Sequence, residues 1–105
     1  MCKVDFYTIF NYGTESENFV KRKGHRYKLE NGVVIFITED FGGWTSTEET
    51  TGSCIVVNAK TRSECLNKTV EQSDSILNAL KSEFNIKKAE RMKYLIAKGE
   101  YEIWI

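Results

Sequence analysis

Five cations crowd one short segment: Lys21, Arg22, Lys23, Arg26 and Lys28 stand around His25 and Tyr27 in the run KRKGHRYK. Contact with nucleic acid needs such a combination, because ammonium and guanidinium groups meet phosphates while a ring stacks on a base. Lys21, Arg22, Lys23, Arg26, Tyr27 and Lys28 are therefore a candidate surface for RNA or single-stranded DNA. A second cationic group, Lys87, Lys88, Arg91, Lys93 and Lys98, would extend it if folding set the two side by side. The competing account is structural: three of the first cations complement a helix C-terminus, and Arg26 and Lys28 cover the solvent face of a hairpin.

A different chemistry is written at residues 41–52, FGGWTSTEETTG. A large amphipathic ring on glycine-rich backbone can anchor a protein contact. Glu39, Asp40, Glu48 and Glu49 make the stretch acidic, which repels phosphate and suits a protein partner. Phe41, Trp44, Glu48 and Glu49 are the candidate partner-binding residues, expected on an exposed loop with the indole turned outward. The alternative is that Phe41 and Trp44 fold back and pin the loop to the domain.

Covalent and metal chemistry find little support. His25 is the single histidine, and nothing in the spacing of Cys2, Cys54 and Cys65 brings a thiol to it. No His/Cys cluster has metal-ligand spacing, and Gly42-Gly43 lacks the further glycines and lysine of a phosphate loop. Asn58-Ala59-Lys60 lacks the carboxylate by which a restriction-type nuclease holds its metal ion. The chain is expected to be no enzyme, with no catalytic residue, no metal and no cofactor.

These residues must be positioned by elements legible from pattern. Residues 2–10 alternate in a way that suits a central strand covered on both sides. Thr14 and Glu17 form a capping box, with acidic residues first, Lys21 to Lys23 last and Gly24 as terminator, so a helix is expected over 15–23. Asn31-Gly32 between two apolar runs predicts a two-residue hairpin pairing Leu29 with Val34, Tyr27 with Phe36 and His25 with Thr38. Residues 53–58 read as a buried strand. A capping box at Thr61 and Glu64 opens the principal helix, which reaches about residue 84 with a kink near Ser73-Asp74-Ser75. A shorter helix from 87 to 98 ends at Gly99, and the strand EYEIWI closes the chain.

The resulting order, β-α-β-β-loop-β-α-α-β, predicts an α+β fold: a mostly antiparallel sheet of about five strands with helices packed on one face. A length of 105 residues suits one domain spanning 1–105. Lys plus Arg and Asp plus Glu are both 15, so no global field draws the protein to nucleic acid or membrane. An odd set of three cysteines fits reduced thiols and a cytoplasmic setting, and neither a secretory leader nor a membrane span is visible. The first functional expectation is a non-enzymatic module that docks on another protein, a regulator or inhibitor of the kind mobile elements also carry. The second is nucleic-acid binding through residues 21–28. A third is self-association into a homodimer through the apolar C-terminal strand.

Overall fold

The computed structural model describes residues 3–104. Four strands come first, β1 (Val4–Phe10), β2 (Asn18–Lys28), β3 (Val34–Asp40) and β4 (Gly43–Glu48). Three helices follow, α1 (Arg62–Glu71), α2 (Ser73–Ala79) and α3 (Glu83–Lys98), and a short β5 (Glu102–Ile103) closes the series. The first four strands are antiparallel neighbours in the order β1-β2-β3-β4, and β5 runs parallel to β2. This is the expected α+β class, although β1 stands at one end of the order rather than in the middle.

The helix expected over 15–23 is absent. Thr14 and Glu17 do make their hydrogen bonds, but for a tight turn: the Thr14 hydroxyl donates to Asn11 O, and Gly13 N–H donates to the Glu17 carboxylate. Asn11 at φ 56° and Gly13 at φ 79° set that turn, and the chain leaves it as β2. Pairing decides the matter, since Val20 is fully buried and Phe19 enters the core from the opposite face. That alternation has period two, and register with β1 from Val4↔Gly24 to Phe10↔Asn18 outweighs the local helix signals.

The β2–β3 hairpin forms, but one residue out of the expected register. Its pairs are His25↔Ile37, Arg26↔Phe36, Tyr27↔Ile35 and Lys28↔Val34. The connection has three residues, because Leu29 and Val33 close it and only Gly32 takes positive φ, at 91°. Asn31 spends its carboxamide elsewhere, accepting from Val33 N–H and donating to Ser73 O at 2.9 Å. The shift puts Ile35 and Ile37, both fully buried, on the face that meets α1.

The stretch expected to be an exposed loop is largely β4, paired with β3 from Asp40↔Gly43 to Ile35↔Glu48. Gly43 needs its bare Cα, since at φ 134° an added Cβ would lie 2.6 Å from Ala59 O. Residues 53–59 run beside β4 without regular strand geometry, joined through the bridges Trp44↔Ala59 and Thr47↔Cys54. Ser46 accepts there from Val56 N–H and from the Thr69 hydroxyl of α1, so its buried hydroxyl is paired.

The helices follow their caps. Thr61 accepts from Glu64 N–H, and the Glu64 carboxylate accepts from Lys60 N–H, which holds that carboxyl below its usual range. The principal helix does not continue to residue 84: it breaks at Gln72 into α1 and α2. Ser82 caps α3 earlier than expected, and Gly99 ends it in the left-handed conformation. One apolar cluster joins β3 to α1 and α2 through Ile35, Ile37, Cys65 and Ile76. Another joins β1 and β2 to α3 through Ile9, Phe19, Met92 and Leu95. Phe19, His25 and Tyr27 lie an even number of positions apart, so both clusters sit on one face of β2.

The opposite face is buried as well. Phe6, Thr8, Val20, Phe36, Thr45 and Thr47 share it by register, and all are shielded from solvent. Phe6 and Phe36, from the strands flanking β2, stack with centroids 5.0 Å apart over Gly24. A Cβ there would lie 2.9 Å from the Phe6 ring. The turn after β4 reaches back to β1, where the Thr8 hydroxyl donates to Gly52 O. No helix of the described residues is long and apolar enough to cross a membrane.

Candidate functional site

The tip of the β3–β4 hairpin carries Phe41, fully exposed at 111%. It stands at the rim of a groove of about 500 Å³ whose walls include Phe10, Val57, Asn58 and Trp104. Val57 and Trp104 are themselves exposed, so an apolar rim is continuous from the hairpin tip to the end of β5.

The wall of this groove is a stack. Arg22 leaves β2 toward the hairpin tip and forms a two-pronged ion pair with Asp40. Its guanidinium lies 5.9 Å from the Phe6 ring centre and 5.5 Å from that of Trp104, and the indole in turn stacks on Phe10 at 5.5 Å. Residues from β1, β2, β3 and the C-terminal segment thus brace one another, and charge is neutralised within the stack. The Arg22 side chain is 11% exposed and that of Asp40 31%.

The other candidate partner residues fare differently. Trp44 does not point outward: it is half-buried, packs against the β3–α1 core cluster, and shares two backbone hydrogen bonds with Ala59. The glycines beside it let the chain come close to residues 58–59 rather than keep it mobile. Glu48 is buried, its carboxylate accepting from the backbone N–H and hydroxyl of both Thr50 and Thr51. Glu49 is exposed and lies 3.7 Å from Arg26.

The basic segment is dispersed by the alternation of β2. Tyr27 turns to the core, Arg22 is committed to Asp40 and Arg26 faces Glu49. Lys21 and Lys23 lie 3.4 and 3.9 Å from Asp5, and Lys28 is exposed on the strand end. Hydrogen bonding to Asp5 raises the Lys21 pKa. The second cationic group does not join them. Lys87, Arg91 and Lys98 pair with Glu83, Glu17 and Glu100, and Lys88 is buried.

Lys88 belongs to a link that spacing could not reveal. Its ammonium donates to Ser53 Oγ at 2.7 Å, Ser53 Oγ is 3.0 Å from Thr51 Oγ1, and the Thr51 hydroxyl donates to Glu48. Two hydroxyls relay an ion pair between α3 and the turn after β4. Burial pushes the Lys88 pKa down, opposed by Cys54 and Glu48.

His25 is buried, with Nε2 3.1 Å from Arg62 Nη1. A guanidinium only donates, so this nitrogen is the acceptor of a neutral ring. Burial first, then Arg62 and Lys3, lower its pKa. The unfolded chain therefore takes up the proton first, and stability present above about pH 6.5 is lost as pH falls toward the lower folded value. Urea midpoints compared across that interval should drop more for the native chain than for His25→Gln, which keeps an acceptor and cannot titrate. Equal slopes would show that His25 carries no such linkage.

Among the described residues no thiol hydrogen-bonds this imidazole: Cys54 is exposed beside β4 and Cys65 is buried in α1, while Cys2 lies outside the described residues. Burial raises the Cys65 pKa, the reverse of what a nucleophile needs. Among the described residues no group of three His, Cys, Asp or Glu side chains could hold a metal ion. β5 docks on β2 through two residue pairs, with Trp104 N–H donating to Lys21 O at 2.9 Å; Ile103 is exposed and Ile105 lies outside the described residues. Compared with protein-family models, curated proteins and solved structures, the chain has no match in any of the three.

Proposed function

We propose that this protein is a non-enzymatic module that docks on another protein through the β3–β4 hairpin tip. The observation that carries the proposal is Phe41, whose whole ring is presented to solvent beside an apolar-rimmed groove. An exposed aromatic next to a cleft matches the architecture of interface hot spots, in which one ring fills the partner and the cleft receives a side chain in return. The stack of Phe10, Trp104, Arg22 and Asp40 fixes one wall before binding, which lowers the ordering cost of association. The anchor is thus Phe41, with Phe10, Val57 and Trp104 as its surround, and Trp44 supports the hairpin from its core side.

Recovery of the tagged chain from the cells that make it tests this reading. A stoichiometric protein should be retained at high salt, kept by Trp44→Phe and by the double variant Lys21→Gln and Lys23→Gln, and lost by Phe41→Ser. Recovery of nucleic acid without such a protein, or loss of the partner on removing the two lysines, would overturn it.

A further inference from the structure

Beside the hairpin groove, on the other side of Arg22, the sheet is split. Pairing of β2 with β5 ends at Lys21↔Ile103, and pairing of β2 with β3 begins at His25↔Ile37. Between them, among the described residues, the edge of β2 is unpaired over three residues, and the Thr38 hydroxyl reaches across to Lys23 O at 3.0 Å. The split opens a notch of about 440 Å³, within the size range of small-molecule sites.

The lining is unlike the rest of this electrically neutral chain. Lys3, Lys21, Arg22 and Lys23 face Asp5 and Glu39, and with Arg22 matched by Asp40 one positive charge is in excess among the described residues. Two of the three remaining cations converge on Asp5, whose two oxygens meet Lys21 and Lys23. One carboxylate bridging two ammonium groups holds the place that a phosphate, with more charge and more acceptor oxygens, would fill more strongly. Ile103, exposed at 66%, and the free edge of Trp104 give the notch an apolar side.

We infer that this notch is a binding site for a phosphate ester with a planar apolar body of mononucleotide size. Its phosphate displaces Asp5 from Lys21 and Lys23, with Lys3 alongside, and its body lies against Ile103 and the indole edge. Asp5 is then a built-in competitor, and a group that merely stabilised the strands would behave in the opposite way. This site shares the Arg22 and Trp104 wall with the groove at Phe41, while Lys3, Asp5, Lys21 and Lys23 line the notch alone.

The test uses the full chain carrying Trp44→Phe, so that Trp104 alone reports. Titration with adenosine monophosphate at low salt should change its emission along a saturating curve, with inorganic phosphate at least about tenfold weaker because the apolar contact is missing. Asp5→Asn should tighten binding about threefold or more, and Lys23→Gln should weaken it about tenfold. Lys68→Gln, exposed on α1 and outside the notch lining, should change neither. Lys23 is 70% exposed, and each variant is first checked for an unchanged urea midpoint. The inference fails if no saturable change appears up to about 10 mM, a dissociation constant too weak for a built site. It fails equally if Asp5→Asn weakens binding, or if octathymidylate binds more than about tenfold tighter than the mononucleotide, which would make the notch part of a nucleic-acid track.

Discussion

Replacing Gly52 with valine should unfold much of this domain's stability, by about 3–5 kcal/mol in urea titration. Two costs combine there. Gly52 sits at φ +66°, a conformation that a β-branched residue adopts only under strain. A Cβ at this position would also lie 2.6 Å from Met92 Cε, 2.9 Å from Thr8 Cα and 3.0 Å from Ile9 N. The last two atoms are β1 backbone and cannot move aside without opening the seam where the turn after β4 meets β1. Gly13 is the internal comparison: its φ is +79° but no atom lies within 4 Å of an added Cβ. Gly13→Ala should therefore cost about 1 kcal/mol, the conformational part alone. A Gly52→Val loss no larger than that of Gly13→Ala would mean that the seam does not hold the sheet together.

The second large effect is expected at Arg22. Arg22→Met keeps the length of the side chain and removes its charge, leaving Asp40 without its partner in a setting only about one-third exposed. The expected loss is about 2 kcal/mol, below the cost of breaking a fully buried pair because water reaches part of Asp40. Asp40→Leu added to Arg22→Met should recover part of that loss, since the uncompensated carboxylate disappears with it. Trp104 gives a local readout, because the guanidinium covers its ring at 5.5 Å. Acrylamide should quench it more readily in Arg22→Met. If the double variant is as unstable as the single one, the pair holds the strands by packing and not by charge.

What the sequence made legible was what local chemistry decides. Thr61 and Glu64 cap α1, Gly99 ends α3, and Asn31-Gly32 places the hairpin, all within a few residues of the groups they satisfy. Where a local signal competed with pairing, pairing won. Thr14 and Glu17 kept their hydrogen bonds while residues 18–28 became strand, because Val20 and Phe19 are worth more on the two faces of a sheet than on one face of a short helix. Residues 43–48 were obscured by their hydroxyls. Thr45, Ser46 and Thr47 read as solvent-facing, yet all are buried, and Ser46 is matched by Thr69 in α1, 23 positions away.

The site follows the same division. Phe41 was visible as an aromatic at a turn, but its exposure depends on the hairpin that the glycines make, and that same turn sends Trp44 inward. The basic run was visible as composition, and its dispersal follows from the period of a strand that local signals had marked as helix. The stack of Phe6, Arg22, Asp40, Phe10 and Trp104 draws on four separate stretches of chain and has no sequence signature. Lys88 counted as a surface cation until α3 placed it over Ser53.

Protein contact at the hairpin tip is most directly tested by chemistry at that residue. A benzophenone-bearing phenylalanine placed at position 41, and for comparison at the exposed position 94 on α3, would be photolysed in the cells that make the protein. One discrete protein adduct from position 41, with none from position 94, is the result this account predicts. No protein adduct at position 41, or the same adducts from both positions, would contradict it.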